Sequence, residues 1–332
     1  MKNITIVGIG AVGAFVGARL ALAGAAPRAL ARGATLAALR AQGLTLRMGG
    51  RTQQVAIDAT DDARALGVQD LVIVAVKAQS LAALAPALAP LIGGDTVVLP
   101  AMNGVPWWFL QTPAVAERLA GDGGRLASVD ADGTIGAALP LAHILGCVVH
   151  FTCSSPAPGV ASHGFGERLI VGEPAGGASA RCAAVAELLR GAGFAVDASD
   201  DIRSDIWFKL WGNMTTNPIS ALTGATVDRI LDDPQVHDFM LQAMAEAREI
   251  GARIGCPITQ SGEDRMIVTR SLGAFKTSML QDAEAGRSLE IDALVGAVHE
   301  IGARVGVATP AIGALLGLVR LMARGRGLYP PA

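Results

Sequence analysis

The hexapeptide Gly8-Ile9-Gly10-Ala11-Val12-Gly13 limits what this chain can fold into more than any other feature. It follows a β-branched run at residues 4–7 and opens an alanine-rich helical stretch at 11–23. Gly8 makes the tight turn, Gly10 lets backbone approach a pyrophosphate, and Gly13 lets the helix pack closely on the strand. The helix N-terminus presents unpaired N–H groups and partial positive charge to the phosphates. In a chain with 41 glycines among 332 residues the spacing alone carries little weight. Its place between a strand and a helix favours a dinucleotide site over a purely structural turn.

The flanking segments alternate in the same sense. Residues 70–76 (DLVIVAV) form a continuous apolar run of the kind buried on both faces of a parallel sheet, followed by a helical pattern at 81–91 and a strand at 96–99. Such repetition implies right-handed crossovers and a doubly wound sheet. Residues 51–57 alternate like an antiparallel or edge strand. Residues 145–175 read as short strands that extend the sheet at its edge, then a helix at 179–192 and a last strand at 194–196. Beyond Asp200-Asp201 the pattern is helical, broken at Pro218, Pro234, Pro257 and Pro310, with Pro218 expected to end or kink its helix. The expected class is α/β: a Rossmann-type doubly wound domain over 1–200 and an all-helical substrate and catalytic domain over 201–332. The first helix of the latter is expected to line the groove between the lobes.

A second strand at 28–31 ends in Arg32-Gly33, where an NAD-binding unit would carry an acidic residue for the ribose 2′-hydroxyl. A guanidinium there suits a 2′-phosphate and points to NADP (NADPH) rather than NAD. An arginine merely solvated at a strand end is the other reading.

Composition removes several classes of function. With 51% hydrophobic and 17% charged residues the chain is core-rich rather than disordered, and a net charge of −2 gives no footprint for nucleic acid. A mean hydropathy of +0.44 raises the membrane question. However, the charge-free stretches 96–116 and 133–166 are interrupted by proline and glycine, so no span is expected. Residues 1–4 run straight into a strand with no cleavage signal. Cys147, Cys153, Cys182 and Cys256 form neither a CxxC pair nor a metal spacing, and His150, His163 and His299 read as structural. A reduced cytoplasmic protein without a metal is expected. A homodimer is admitted, but the sequence does not fix the oligomeric state.

Scarcity marks the remaining candidates. Among 27 basic residues lysine occurs only at Lys2, Lys77, Lys209 and Lys276, and asparagine occurs only at Asn3, Asn103, Asn213 and Asn217. Arginine does not readily give up a proton, whereas lysine can act as an acid. Lys209, Asn213 and Asn217 are spaced i, i+4, i+8 and form one polar stripe among Trp207, Phe208, Leu210, Trp211 and Met214, all expected to be buried. Such a stripe lines a cavity that takes substrate, or it forms an internally satisfied polar seam.

These residues carry a resemblance to the ketopantoate reductase (2-dehydropantoate 2-reductase) family over nearly the whole chain. The matching pieces are the GIGAVG loop, Val76-Lys77, Met102-Asn103-Gly104, the Trp207…Lys209…Asn213…Asn217-Pro218 helix, and Ser278-Met279-Leu280-Gln281-Asp282 with Glu290-Ile291-Asp292. The resemblance implies NADPH-dependent reduction of a 2-keto acid to a 2-hydroxy acid, a step towards pantothenate. Under it Lys209 is the general acid on the ketone oxygen, and Glu290 sits beside it and the nicotinamide. Asn103 contacts cofactor and substrate, Asn213 and Asn217 hold substrate oxygens, and Ser278 takes the carboxylate end. Lys77 and Arg32 lie on the cofactor.

Two features depart from the family pattern. Asn103-Gly104 is followed by Val105-Pro106-Trp107-Trp108, and the tryptophans either reshape the acyl pocket or plug the core. Residues 122–141 look like an added loop. The alternative functions are a reductase of a different 2-keto acid and a non-catalytic NADPH-binding regulator. The pairing of Lys209 with Glu290 argues against the regulator.

Overall fold

The computed structural model describes residues 1–117, 119, 123–271 and 273–331. The chain forms two compact units, Met1–Met102 with Gly133–Asp205 and Asn103–Asp132 with Ile206–Ala332.

The first unit begins β1 (Ile4–Val7), α1 (Ala11–Leu22), β2 (Arg28–Leu30), α2 (Gly33–Gln42), β3 (Leu44–Met48), β4 (Arg51–Val55), β5 (Asp58–Thr60), β6 (Leu71–Val74), α3 (Ala78–Leu84) and β7 (Val97–Pro100). Five of these strands pair in parallel in the order β5-β2-β1-β6-β7. Every residue of β1, β6 and β7 is buried, as continuous β-branched runs require when both faces of a sheet are covered. The chain winds to β2 on one side of β1 and to β6 on the other. The C-terminal ends of β1 and β6 therefore flank the switch point where ligands bind in such sheets. The helix expected over 81–91 is corrected: α3 ends at Leu84 and a 3₁₀ run follows to Leu91. Pro86 and Pro90 have no N–H to donate and break the α ladder.

A single turn, α4 (Pro113–Ala116), and a short helix, α5 (Thr134–Ala138), precede β8 (Gly146–His150), β9 (Cys153–Ala157), β10 (Val160–His163), β11 (Arg168–Gly172), α6 (Ala180–Gly191) and β12 (Ala195–Ser199). Only part of the expected edge extension forms. β12-β11-β8 make a three-stranded sheet joined to β7 through the Val98–Ile144 bridge. β9 and β10 instead complete a four-stranded sheet, β4-β3-β10-β9, with the β3–β4 hairpin. Aromatic packing explains the split. Phe15 of α1 sits 4.9 Å from Phe151, 5.0 Å from His163 and 5.5 Å from Phe194, collecting apolar faces from both small sheets.

The second unit carries α7 (Ile202–Thr223), α8 (Val227–Asp232), α9 (Pro234–Arg253), α10 (Gly262–Arg270), α11 (Ser278–Glu284), a π-helical turn at Asp292–Gly296, α12 (Ala297–Arg304) and α13 (Pro310–Gly325). Its described residues form no strand, in keeping with the helical reading. Pro234 and Pro310 open helices, where a missing N–H costs nothing. Pro218 does not end its helix, because α7 continues through it to Thr223. Residues 214–221 are all buried, and that packing offsets a penalty of about 3 kcal/mol for proline inside a helix. The 1–200 boundary also needs correction, since residues 103–132 belong with the helices.

Part of the 122–141 loop shows why; Asp122 lies outside the described residues. Glu300 on α12 accepts from the backbone N–H of Ala127 (2.9 Å) and of Ser128 (2.8 Å), and pairs with Arg304 at 2.6 Å. Burial pushes its carboxyl up, but the donors of Ser128, Ala127 and Arg304 outweigh it and hold the group below the ordinary carboxylate value. A depressed folded-state pKa contributes stability above the unfolded value near ~4.3 and loses it as pH falls through the folded one. Glu300→Ala is expected to cost about 1–3 kcal/mol by leaving two amides without an acceptor. The loss should shrink below about pH 4 in denaturant titrations; a pH-independent loss contradicts the charge-assisted anchor.

Among the described residues no helix is long and apolar enough to cross a membrane, no acidic, His or Cys cluster could hold a metal, and no cysteine is disulfide-bonded.

Candidate active site

The glycine loop has the geometry a pyrophosphate needs. Gly8 has φ +88°, and a Cβ there would lie 2.4 Å from Cγ1 of Val76. A Cβ on Gly13 would lie 2.0 Å from the carbonyl oxygen of Gly8, so helix and turn meet backbone to backbone. Gly10 caps α1 with no side chain over the helix end, and nothing lies within 4 Å of where its Cβ would be. Open space in front of bare N–H groups fits a dinucleotide phosphate, with the amides after Ile9, Gly10, Ala11 and Val12 as donors.

Arg32 follows β2 as the N-cap residue of α2, exposed, and makes no side-chain cap bond. Lys77 follows β6 as the N-cap residue of α3, directly after the Val76 that packs on Gly8. Both basic residues therefore stand at strand C-termini beside the switch point, where the sequence reading expects cofactor contacts.

In the second unit the stripe on α7 is set by two tryptophans. Trp207 donates its indole N–H to the Ala247 carbonyl at 3.2 Å, and Trp211 donates to that of Met244 at 2.7 Å. These anchors on α9 fix the rotation of α7. Because residues 207 and 211 lie roughly 160° either way from residue 209, the opposite face presents Lys209. Lys209 and Asn213 are half-buried and Asn217 is buried at 6% exposure; of the neighbours expected to be buried, Trp207, Leu210, Trp211 and Met214 are, whereas Phe208 is corrected to exposed, at 38%.

Nζ of Lys209 donates to Oδ1 of Asn103 at 2.9 Å. This pairing joins one of the chain's four lysines to one of its four asparagines across 106 positions. A neutral amide acceptor orients an ammonium without cancelling its charge. The turn bearing Asn103 is itself pinned. Gly104 has φ +82° and a Cβ there would lie 2.6 Å from the Ala293 carbonyl oxygen, while the Val105 N–H donates to that oxygen at 2.8 Å.

Ala293 belongs to the π-helical turn, which starts two residues after the half-buried Glu290. Asn103, Lys209 and the segment leading from Glu290 are thus brought to one region of the second unit. π turns of this kind are frequent at functional sites. Ser278 lies exposed in the first turn of α11, behind a Thr277 cap that accepts from the Leu280 N–H. Sequence reasoning did not find the π turn, which has no compositional signal.

Trp107 and Trp108 are buried at 2% and 1% exposure, and the adjoining Phe109 stacks on Trp207 at 5.9 Å. Of the two readings the structure selects the core plug.

Comparison with known proteins places the chain among named families. A family model described as ketopantoate reductase PanE/ApbA matches residues 4–176, and the model of its C-terminal part matches 201–323. A 2-dehydropantoate 2-reductase of Mesorhizobium japonicum is 42% identical over 328 residues, 98% of this chain and 99% of that protein. A solved structure from Ralstonia solanacearum superposes with TM-score 0.94 at 60% identity and 99% coverage of both chains. The ternary structure of a D-mandelate dehydrogenase with NADH and anilino(oxo)acetate superposes with TM-score 0.83 at 21% identity, covering 98% of this chain and 99% of that one. At that identity the likeness is one of fold alone.

Proposed function

The chain belongs to the ketopantoate reductase family, and from that premise we propose that it reduces a 2-keto acid to a 2-hydroxy acid with NADPH, ketopantoate to pantoate in pantothenate biosynthesis being the reaction favoured. The observation that carries the reading is the ammonium of Lys209, held at 2.9 Å by Asn103 on a helix locked by two indole hydrogen bonds.

Reduction of a ketone leaves charge on its oxygen. An ammonium aimed at that oxygen stabilises the charge and donates the proton that completes the alcohol. When bound, the dinucleotide supplies the hydride. The chain's residues do the rest. Gly8, Gly10 and Gly13 clear space for the pyrophosphate, and the N–H groups of α1 bind it. Arg32 recognises the 2′-phosphate and Lys77 adds positive charge near the same strand ends. Asn103 orients Lys209 and contacts both ligands. Glu290 keeps the ammonium charged and in place, a role its position just ahead of the pinned π turn supports. Asn213, Asn217 and Ser278 hold substrate oxygens. A cytoplasmic setting and a homodimer belong to the same reading, with Leu318 and Leu321 on α13 exposed at 57% and 69% as apolar surface available for assembly.

Following NADPH oxidation over a panel of 2-keto acids tests the reading. Ketopantoate should be the best substrate and NADPH should outrun NADH. Arg32→Ala should weaken NADPH by about 10–100-fold, the worth of one or two charge-assisted bonds, and leave NADH nearly unchanged. Faster turnover of another acid reassigns the substrate, and an unchanged cofactor ratio removes the role given to Arg32. Failure to oxidise NADPH with any keto acid favours the regulator.

A further inference from the structure

Tyr329 is the chain's one tyrosine, and it stands in the short segment that follows α13. That segment doubles back on its helix. The Gly327 N–H donates to the Arg324 carbonyl at 3.0 Å, and the Leu328 N–H donates to that of Ala323 at 2.7 Å. The Tyr329 ring then meets Arg320 and Arg324, one turn apart on α13, whose Cζ atoms lie 5.6 and 5.4 Å from its centroid. Its hydroxyl proton is shared between the two carboxylate oxygens of Asp292, at 2.7 and 2.9 Å. Nη2 of Arg320 donates to Oδ1 of the same carboxylate at 2.5 Å. A Cβ on Gly296 would stand 3.2 Å from each of those two atoms, so the ion pair rests on bare helix backbone.

The residue before Tyr329 holds the same stretch from its other side. The carbonyl oxygen of Leu328 accepts from the Leu289 N–H at 3.1 Å. Consecutive residues 328 and 329 thus grip positions 289 and 292, and Glu290 lies between those two points. Asp292 also opens the π turn, whose Ala293 carbonyl receives the Val105 N–H next to the Asn103 turn. We propose that Tyr329 is a positioning residue: through Asp292 it holds the π turn, and with it Glu290, where that carboxylate can serve the Lys209 ammonium. The inference rests on the role given to Glu290 in the reductase reading and adds to it a residue outside every motif quoted for the family. The pull of a carboxylate on a cation falls with distance, so a turn that slips changes how firmly the ammonium keeps its proton. Burial and the Asp292 carboxylate push the phenol above its ordinary pKa, so it stays a donor at neutral pH and beyond.

The test compares the full-length protein with Tyr329→Phe, which removes one oxygen and keeps the ring against both arginines. With NADPH and ketopantoate, kcat should fall by about 3–30-fold, the worth of one part-exposed charge-assisted bond, while KM changes by less than about 2-fold. The pH profile is the decisive readout. An ammonium acts as an acid only while protonated, and a nearby carboxylate raises its pKa. A displaced Glu290 therefore moves the alkaline limb of kcat to lower pH, by about half a pH unit or more. A tyrosine that only staples the fold would change the amount of active protein and leave the limb in place. In a Glu290→Gln background Tyr329→Phe should have little further effect, because no carboxylate is left to position. By hydrogen exchange, the Leu289 and Val105 amides should lose protection in Tyr329→Phe while those of β1 and β6 keep theirs. An unshifted limb, the same loss in both backgrounds, or unchanged protection at Leu289 and Val105 would overturn the proposal. Failure of the reductase reading looks different. Lost protection at those amides, in a protein that reduces no keto acid even unaltered, sinks the reductase assignment and leaves the hold on the π turn. Normal turnover with an unshifted limb in Tyr329→Phe sinks the positioning role alone.

Discussion

Lys209→Ala is expected to cut turnover of ketopantoate by roughly 10²–10⁴-fold, the range over which a positioned general acid contributes. NADPH affinity should stay nearly intact, because the loop and N-termini that fit the dinucleotide belong to a different unit of the chain. The fold should survive as well. Trp207 and Trp211 hold α7 through bonds to Ala247 and Met244 that do not involve Lys209. Lys209→Arg should recover little, since a guanidinium keeps the charge but gives up its proton far less readily. Stopped-flow turnover beside equilibrium NADPH titration separates the two effects. Parallel losses in binding and turnover would make Lys209 a structural residue.

The second large effect is expected at Gly13. An alanine there puts Cβ 2.0 Å from the Gly8 carbonyl oxygen, 3.1 Å from its carbon and 3.2 Å from Cβ of Ala75. Two of those three atoms are backbone and cannot rotate away, so either α1 tilts or the turn opens. Gly13→Ala should lower stability by at least ~2 kcal/mol and weaken NADPH on the order of 100-fold. Gly10→Ala is the informative contrast. Nothing lies within 4 Å of its Cβ position, so the melting temperature should hold while NADPH affinity falls. If Gly10→Ala bound NADPH normally, the space before α1 would not be the phosphate site.

The strand, glycine loop and helix at the start of the chain were legible because each depends on local chemistry: β-branching, absence of Cβ, and helix propensity. Lys209 and Asn103 were legible through scarcity, a signal independent of where they meet. Their meeting was not, because it depends on the turn at Asn103 packing against Ala293 and on Glu300 anchoring Ala127 and Ser128. Those contacts place residues 103–132 in the second unit, and no feature of that segment announces partners well over a hundred positions away. Pro86 and Pro90 stood in plain view and already forbade a regular helix over 81–91. Pro218 shows the reverse case, since its helix does not end there and residues 214–221 are buried around it.

Chemical rescue examines the proton-donating ammonium most directly. Lys209→Ala removes the atoms of propylammonium, so that cation can be returned from solution and ketopantoate reduction followed as its concentration rises. Turnover should climb with propylammonium and stay flat with tetramethylammonium, which carries the charge without a proton to give. A variant that reduces ketopantoate at the unaltered rate with no amine present, or one that both cations restore equally, would contradict the assignment.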